Sequence, residues 1–201
     1  MNKGADQKLP PGWVTLPLSE IASINPALDQ SVTNDDVEVT FVPMRAVSAE
    51  GAGLTNPEPR RYCEVKKGYT SFVSGDVIMA KITPCIEKGK TAVVPDIPGR
   101  VCFGSTEFYS IRPETDVQAR WIAQYLLQYE TRRAAQRQMA GAVGQMRVPV
   151  GFLESLQIPL APAAEQCRVV ETLDELFSDL DAGVAALGSG PIKWIPMMGV
   201  L

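Results

Sequence analysis

GDVIMAKITPCIEKGK, residues 75–90, joins an apolar run to a turn and carries three lysines, Lys81, Lys88 and Lys90. Residues 76–83 read as a strand, because Val, Ile and Met dominate them and apolar side chains recur at Val77, Met79 and Ile82. Lys81 interrupts that pattern. Pro84 has no N–H to donate and ends ladder pairing. Residues 87–90 then make a charged turn in which Gly89 permits a positive φ or the close approach of a second backbone. The run holds no plausible catalytic group, so its lysines point to recognition of an anion rather than chemistry on one. A solvated surface accounts for them equally well when each is taken alone.

Length and composition narrow the field. With 201 residues the chain can form one substantial domain and an appendage. A hydrophobic share of 45% and a charged share of 21% are those of an ordinary globular protein. No apolar run reaches the ~20 residues that span a bilayer, and the opening MNKGADQKLPPGW lacks an apolar signal core. A cytoplasmic protein without membrane contact is expected. The four cysteines, Cys63, Cys85, Cys102 and Cys167, form no CxxC pair, and no histidine exists to complete a mixed zinc site. No metal site is expected. The missing histidine also removes Ser-His-Asp and Cys-His nucleophile arrangements.

Charge is unevenly placed. The chain carries −4 overall, yet residues 45–153 hold 15 Lys and Arg against 10 acids, and residues 154–187 hold one Arg against seven acids. A basic body is followed by an acidic segment. Because salt confines exposed fields to about 8 Å, a local basic face can attract phosphates while the rest of the molecule is negative.

Turn residues divide the chain. LPPGWVTLPLSEI brings a Pro-Pro-Gly break, an aromatic anchor at Trp13 and a helical turn over residues 17–21 with Ser19 as its cap. Residues 37–44 alternate into a strand, and 48–60 read as a loop. Short strands are expected at 91–94, 101–103, 107–111 and 156–160. One helix is expected from Asp116 to about Ala140, with Trp121, Tyr125 and Tyr129 in the core. From Ala164 a second helix places Val169, Leu173, Leu176, Leu180 and Leu187 at heptad-like steps, interrupted at Gly183, as in a coiled-coil seam. Residues 188–201 abandon both the heptad and the acidic pattern and read as an atypical tail.

Two more loops share the character of the first. GSTEF, residues 104–108, and GAVGQMR, residues 141–147, pair glycines with side chains able to meet base edges or phosphates. Tight turns alone also explain the glycines. Enzyme signatures are weak: there is no GxxxxGK[ST] loop and no GxGxxG after a strand. Asn25-Pro26 and Glu64-Val65-Lys66 match fragments of methyltransferase and nuclease motifs only as chance would.

LPPGWVTLPLSEI, FVPM, GDVIMAKITPCIEKGKTAVV, GSTEFYSIRP, GAVGQMRVP and IPLAPAAEQCRVVETLDEL, in that order, resemble the specificity subunit of type I restriction-modification systems over residues 9–187. The resemblance implies an α+β fold. A β-rich mixed target recognition domain would occupy 9–160, and a coiled-coil-type helical spacer or dimerisation segment 161–187. It also implies no catalytic residue in this chain. S-adenosylmethionine, ATP and Mg would belong to partner subunits, the modification methyltransferase and the restriction subunit. Double-stranded DNA is the implied ligand.

The family pattern has two recognition domains and two helices, so one of each suggests a half-subunit or a truncation. If two copies pair through the heptad helix, the target is an interrupted palindrome. Residue type and loop placement nominate Arg60, Arg61, Lys81, Lys88, Lys90 and Arg147 for phosphates, and Thr83, Ser105, Thr106 and Gln145 for base edges. The rival reading is a non-enzymatic interaction module using the heptad helix, or an inactive remnant of a specificity subunit.

Overall fold

A computed structural model describes residues 9–28, 34–51, 53–97, 101–142 and 144–186. The expectations for Leu187 and for the tail 188–201 lie outside the described residues. The chain begins with β1 (Val14–Pro17), α1 (Leu18–Ile21), β2 (Ala22–Ile24) and β3 (Glu38–Val42). The middle holds β4 (Glu58–Arg61), α2 (Tyr62–Val65), β5 (Thr70–Val73), β6 (Val77–Ala80), β7 (Thr91–Val93), β8 (Val101–Gly104) and β9 (Phe108–Pro113). Helices α3 (Ala119–Leu127), α4 (Tyr129–Gln138) and α5 (Val150–Glu154), strand β10 (Gln157–Leu160) and helix α6 (Ala163–Ala186) complete it. This is the α+β architecture the sequence implied.

Strand β6 decides the packing. It lies inside a four-stranded sheet ordered β2-β9-β6-β7, antiparallel throughout. Val77 and Met79 face a core shared with Leu18, Ile122, Leu126 and Leu153. Ile78 and Ala80 face a second core with Val42, Phe72, Cys102 and Phe108. Both faces are therefore buried, which is why VIMA carries no polar position. The second core lies against a sheet ordered β4-β3-β8-β5, in which β3 and β8 run parallel. That sheet's other face packs Val39, Phe41 and Phe103 on Val65 of α2. Burial pushes the Cys102 thiol up to about 11, so it packs as a small apolar group.

The expected strand over 76–83 is shorter than its apolar pattern. Asp76, fully buried, precedes β6, and its carboxylate accepts hydrogen bonds from Arg112 Nε (2.8 Å), Arg112 Nη2 (2.9 Å), Ser110 Oγ (3.2 Å) and the Val73 amide (2.9 Å). Ser19 is no cap: α1 begins after Pro17 without a side-chain cap, and Ser19 lies within the helix. Inside the expected loop 48–60, EPRR forms the edge strand β4, where Pro59 costs no interior hydrogen bond.

The helix expected over 116–140 is two helices, entered at Gln118 rather than Asp116 and broken at Gln128 (φ −55°, ψ 137°). Arg132 supplies the physical reason. Its Nε caps the end of α3 at Leu127 O (3.0 Å), and its Nη1 reaches Glu87 O (2.7 Å), so the chain turns to dock on the lysine-bearing loop. Tyr129, expected in the core, opens α4 and is exposed, while Trp121 and Tyr125 are half-buried against the core.

Strands β1 and β10 pair antiparallel from Val14↔Leu160 to Pro17↔Gln157, which brings residues near 9 and 160 together. Helix α6 leaves from that junction. Its buried Gln166 accepts the Gln118 N–H (3.0 Å) and donates to Ala161 O (2.8 Å) and Asp116 O (3.3 Å), and Arg120 pairs with Asp174. Beyond this anchorage Leu176, Phe177 and Leu180 are exposed, and the helix continues through Gly183.

Candidate nucleic-acid interface

Three loops separated in sequence meet at the end of β6. The Lys81 N–H donates to Glu107 O (2.9 Å), the Val148 N–H to Lys81 O (2.8 Å), and the Thr83 N–H to Met146 O (3.1 Å). Arg147 forms isolated antiparallel bridges with both Ile82 and Ala140. Backbone pairing thus laces the 81–90 loop, the turn after β8 and the 139–148 loop into one rim.

Side chains on this rim divide into held and open ones. The Lys81 ammonium stands 5.0 Å from the Tyr109 ring centroid and forms no ion pair with a described residue. Tyr109 is itself fixed by donating to Val148 O (2.7 Å). Thr106 and Gln145 are exposed at their loop tips, and Thr83 is half-buried. Ser105 Oγ accepts the Glu107 amide (3.2 Å), an interaction that shapes its own turn. Gly104 enters this turn because a Cβ there would lie 2.7 Å from Val42 O and 3.0 Å from the Phe72 ring.

Arg147 is engaged. Its Nε and Nη2 donate to the Glu107 carboxylate (2.8 and 2.6 Å), and its Nη1 reaches Gln145 O (3.3 Å). Lys90 turns inward: its Nζ donates to Met44 O (2.9 Å) and Val47 O (2.7 Å), which secures the loop after β3. Lys88 is exposed on the turn. At Gly89, with φ +61°, an added Cβ would press on Arg132 Nη1 at 3.1 Å and the Glu50 amide at 3.3 Å, so both properties expected of this glycine are used there.

Arg60 and Arg61 lie elsewhere. They pair opposite Val39 and Glu38 at the start of β3, whereas the parallel strand β8 sets Gly104 beside Val42 at its end. Arg60 holds Glu58 (3.0 Å) and covers the Phe41 ring, and Arg61 holds Glu64 (3.2 Å). With Arg45 on Glu58 and Lys66 on Asp35, this edge is charge-balanced. Sequence reading missed Glu107, Tyr109 and Arg132, which position the rim. Their only signal was residue type, since their partners lie 39 to 45 residues away in sequence.

The Glu107–Arg147 pair gives the rim a pH response. The Arg147 hydrogen bonds, aided by the fields of Arg147 and Lys81, hold the Glu107 carboxyl below its usual range against the opposing effect of burial. A depressed folded-state value stabilises the fold above the unfolded value of about 4.3, and that contribution is lost as pH falls through the folded value. In Glu107→Gln this acid-dependent part of the unfolding midpoint should vanish between roughly pH 5 and 3. Parallel midpoint curves for both proteins over that window would refute the linkage.

Among the described residues no group of three or more His, Cys, Asp or Glu side chains is placed to hold a metal ion, and no helix is long and apolar enough to cross a membrane. No protein-family model matches the chain. The chain is 39% identical over 171 residues to the type I restriction enzyme EcoEI specificity subunit of Escherichia coli, and 37% identical over 177 residues to the EcoAI specificity subunit of the same organism. The chain belongs to the type I specificity-subunit family. These alignments cover 85% and 87% of the chain but 28% and 29% of the relatives, so it spans somewhat over a quarter of their length. A chain from a solved structure of a type I R-M system matches with a TM-score of 0.64 at 24% identity, covering 91% of this chain and 42% of that one. The HsdS subunit of Thermoanaerobacter tengcongensis matches at 0.61 and 22% identity, covering 91% and 41%. These two likenesses establish the shared fold.

Proposed function

We propose that residues 9–160 form a target recognition domain that reads double-stranded DNA, and that 161–187 form a spacer helix ordering it within a type I restriction-modification complex. The convergence of the 81–90, 105–107 and 139–148 segments on one rim carries the reading. It gathers open groups suited to phosphates (Lys81, Lys88) and to base edges (Thr83, Thr106, Gln145) on a rigid sheet end. Ser105 and Arg147 serve by shaping and holding the loops. Arg60, Arg61 and Lys90, already engaged by protein partners, are assigned to structure.

The chain is read as non-catalytic and cytoplasmic. Modification and restriction subunits would bring S-adenosylmethionine, ATP and Mg. The closure of β1 on β10 supports a domain boundary near 160, and the exposed Leu176 and Leu180 support pairing of α6 with the same helix of a second copy. Val169 and Leu173, half-buried, would form the inner end of that seam.

Methylome sequencing of a host expressing this chain with its modification subunit tests the whole reading. A bipartite methylated-adenine motif is expected, symmetric if two copies pair. Normal binding of the modification subunit with no motif would favour the interaction-module reading. At residue level, Lys81→Gln with Lys88→Gln should flatten the plot of log binding constant against log salt by about 1.8, at ~0.9 per phosphate contact. An unchanged slope would remove both lysines from the interface.

A further inference from the structure

Every described arginine holds the carboxylate of another described residue except Arg133, Arg137 and Arg168. Among the described lysines, Lys66 holds Asp35 and Lys90 holds two carbonyls, while Lys67, Lys81 and Lys88 form no such pair. Seven of the ten described arginines are paired in this way, and two of the three that are not lie one helical turn apart on α4.

That helix has a simple division of faces. Thr131 and Ala135 are buried, and Tyr129, Arg133 and Arg137, at four-residue steps on the opposite side, are exposed. Arg132, at the border between the faces, clamps α4 to the lysine-bearing loop through Glu87 O (2.7 Å) and to the 49–51 turn through Glu50 (3.4 Å). Lys88 follows Glu87 and Arg133 follows Arg132. One clamp therefore fixes two neighbouring segments, each carrying an unpaired cation. The same helix runs directly into the 139–148 loop that presents Gln145.

A solvated helix would satisfy the exposure of these arginines, but not their clustering on one face when most of the other described arginines are paired. Positions i and i+4 rise about 6 Å along a helix axis, a spacing from which two guanidinium groups can reach successive phosphates of one strand, and Arg favours planar, multiply bonded anions over a bare point charge.

We propose that the outer face of α4 is a second phosphate-contacting surface for duplex DNA, with Arg133 and Arg137 gripping the backbone beside the bases met by the loop rim. The proposal rests on the DNA-reading function above. It is tested by measuring binding of a random-sequence duplex across a salt series for the wild-type chain, Arg133→Gln/Arg137→Gln, Lys81→Gln/Lys88→Gln, and the control Lys67→Gln/Arg168→Gln.

The arginine double variant should lower the salt slope by about 1.8, at ~0.9 per contact. Its unfolding midpoint should be unchanged, since neither side chain makes a described hydrogen bond or ion pair. Arg133→Lys/Arg137→Lys should keep most of the slope. If the arginine variant leaves the slope intact while the lysine variant flattens it, the α4 surface is refuted and the DNA-reading function stands. An equal drop in the control reduces the effect to overall charge and also overturns the proposal. Failure of the wild-type chain to bind the duplex overturns both.

Discussion

Asp76→Ala should lower stability by about 3 kcal/mol or more, the cost of breaking a buried ion pair from one side, and should drop the unfolding midpoint by roughly 6–12 °C for a chain of this size. The carboxylate is 1% exposed and accepts from four donors on three residues, Val73 at the end of β5 and Ser110 and Arg112 on β9. Truncation strands the Val73 amide and leaves the Arg112 guanidinium without its partner. Arg112 is 35% exposed and recovers some hydration, which sets the estimate at the lower end for such pairs. Asp76→Ala/Arg112→Ala should cost clearly less than the sum of the single changes, because the second truncation removes the charge the first has stranded. Additive losses in urea unfolding would show that the pair contributes no coupling.

Asp76 also marks where sequence reading stops. VIMA was legible as a strand because both its faces are covered, so its composition alone carries the signal. The ends of the same run were not legible, since the Asp76 carboxylate is taken up by Val73, Ser110 and Arg112, and the Lys81 carbonyl and Thr83 N–H pair with the 139–148 loop. Strand β4 was hidden for the opposite reason: an exposed edge of EPRR has neither alternation nor β-branched residues to betray it.

The helix break at Gln128 was invisible because no Gly or Pro causes it. Arg132 causes it through a carbonyl 45 residues away. The lysines were interchangeable in sequence, yet Lys81 faces a ring, Lys88 faces solvent and Lys90 faces two carbonyls. Residue type therefore picked out loops that converge on one rim, and long-range hydrogen bonds decided which of their side chains remain open.

Gln166→Leu should cost about 2 kcal/mol, although leucine nearly matches the volume, because it leaves the buried Ala161 carbonyl unsatisfied at ~1–3 kcal/mol and the part-buried Gln118 N–H and Asp116 carbonyl to water. The Gln166 amide is 1% exposed and spans Gln118 N–H, Asp116 O and Ala161 O, so it binds the first turns of α6 to the entry of α3. The second anchor, Arg120 with Asp174, is exposed on both sides, and Asp174→Asn should cost at most about 1 kcal/mol. Amide hydrogen exchange separates the two. Gln166→Leu should speed exchange at Gln118 and through the first two turns of α6 while leaving β6 protected, whereas Asp174→Asn should leave Gln118 slow. Unchanged exchange at Gln118 in Gln166→Leu would rule out the amide as the joint. Without that amide the start of α6 would be held by the exposed pair, the packing of Val170 and the contact of Gln118 with Cys167, and its first turns would loosen from the entry of α3. The buried amide is thus the most enclosed of the contacts that tie the start of α6 to the entry of α3, whereas Leu176 and Leu180 farther along the helix are exposed.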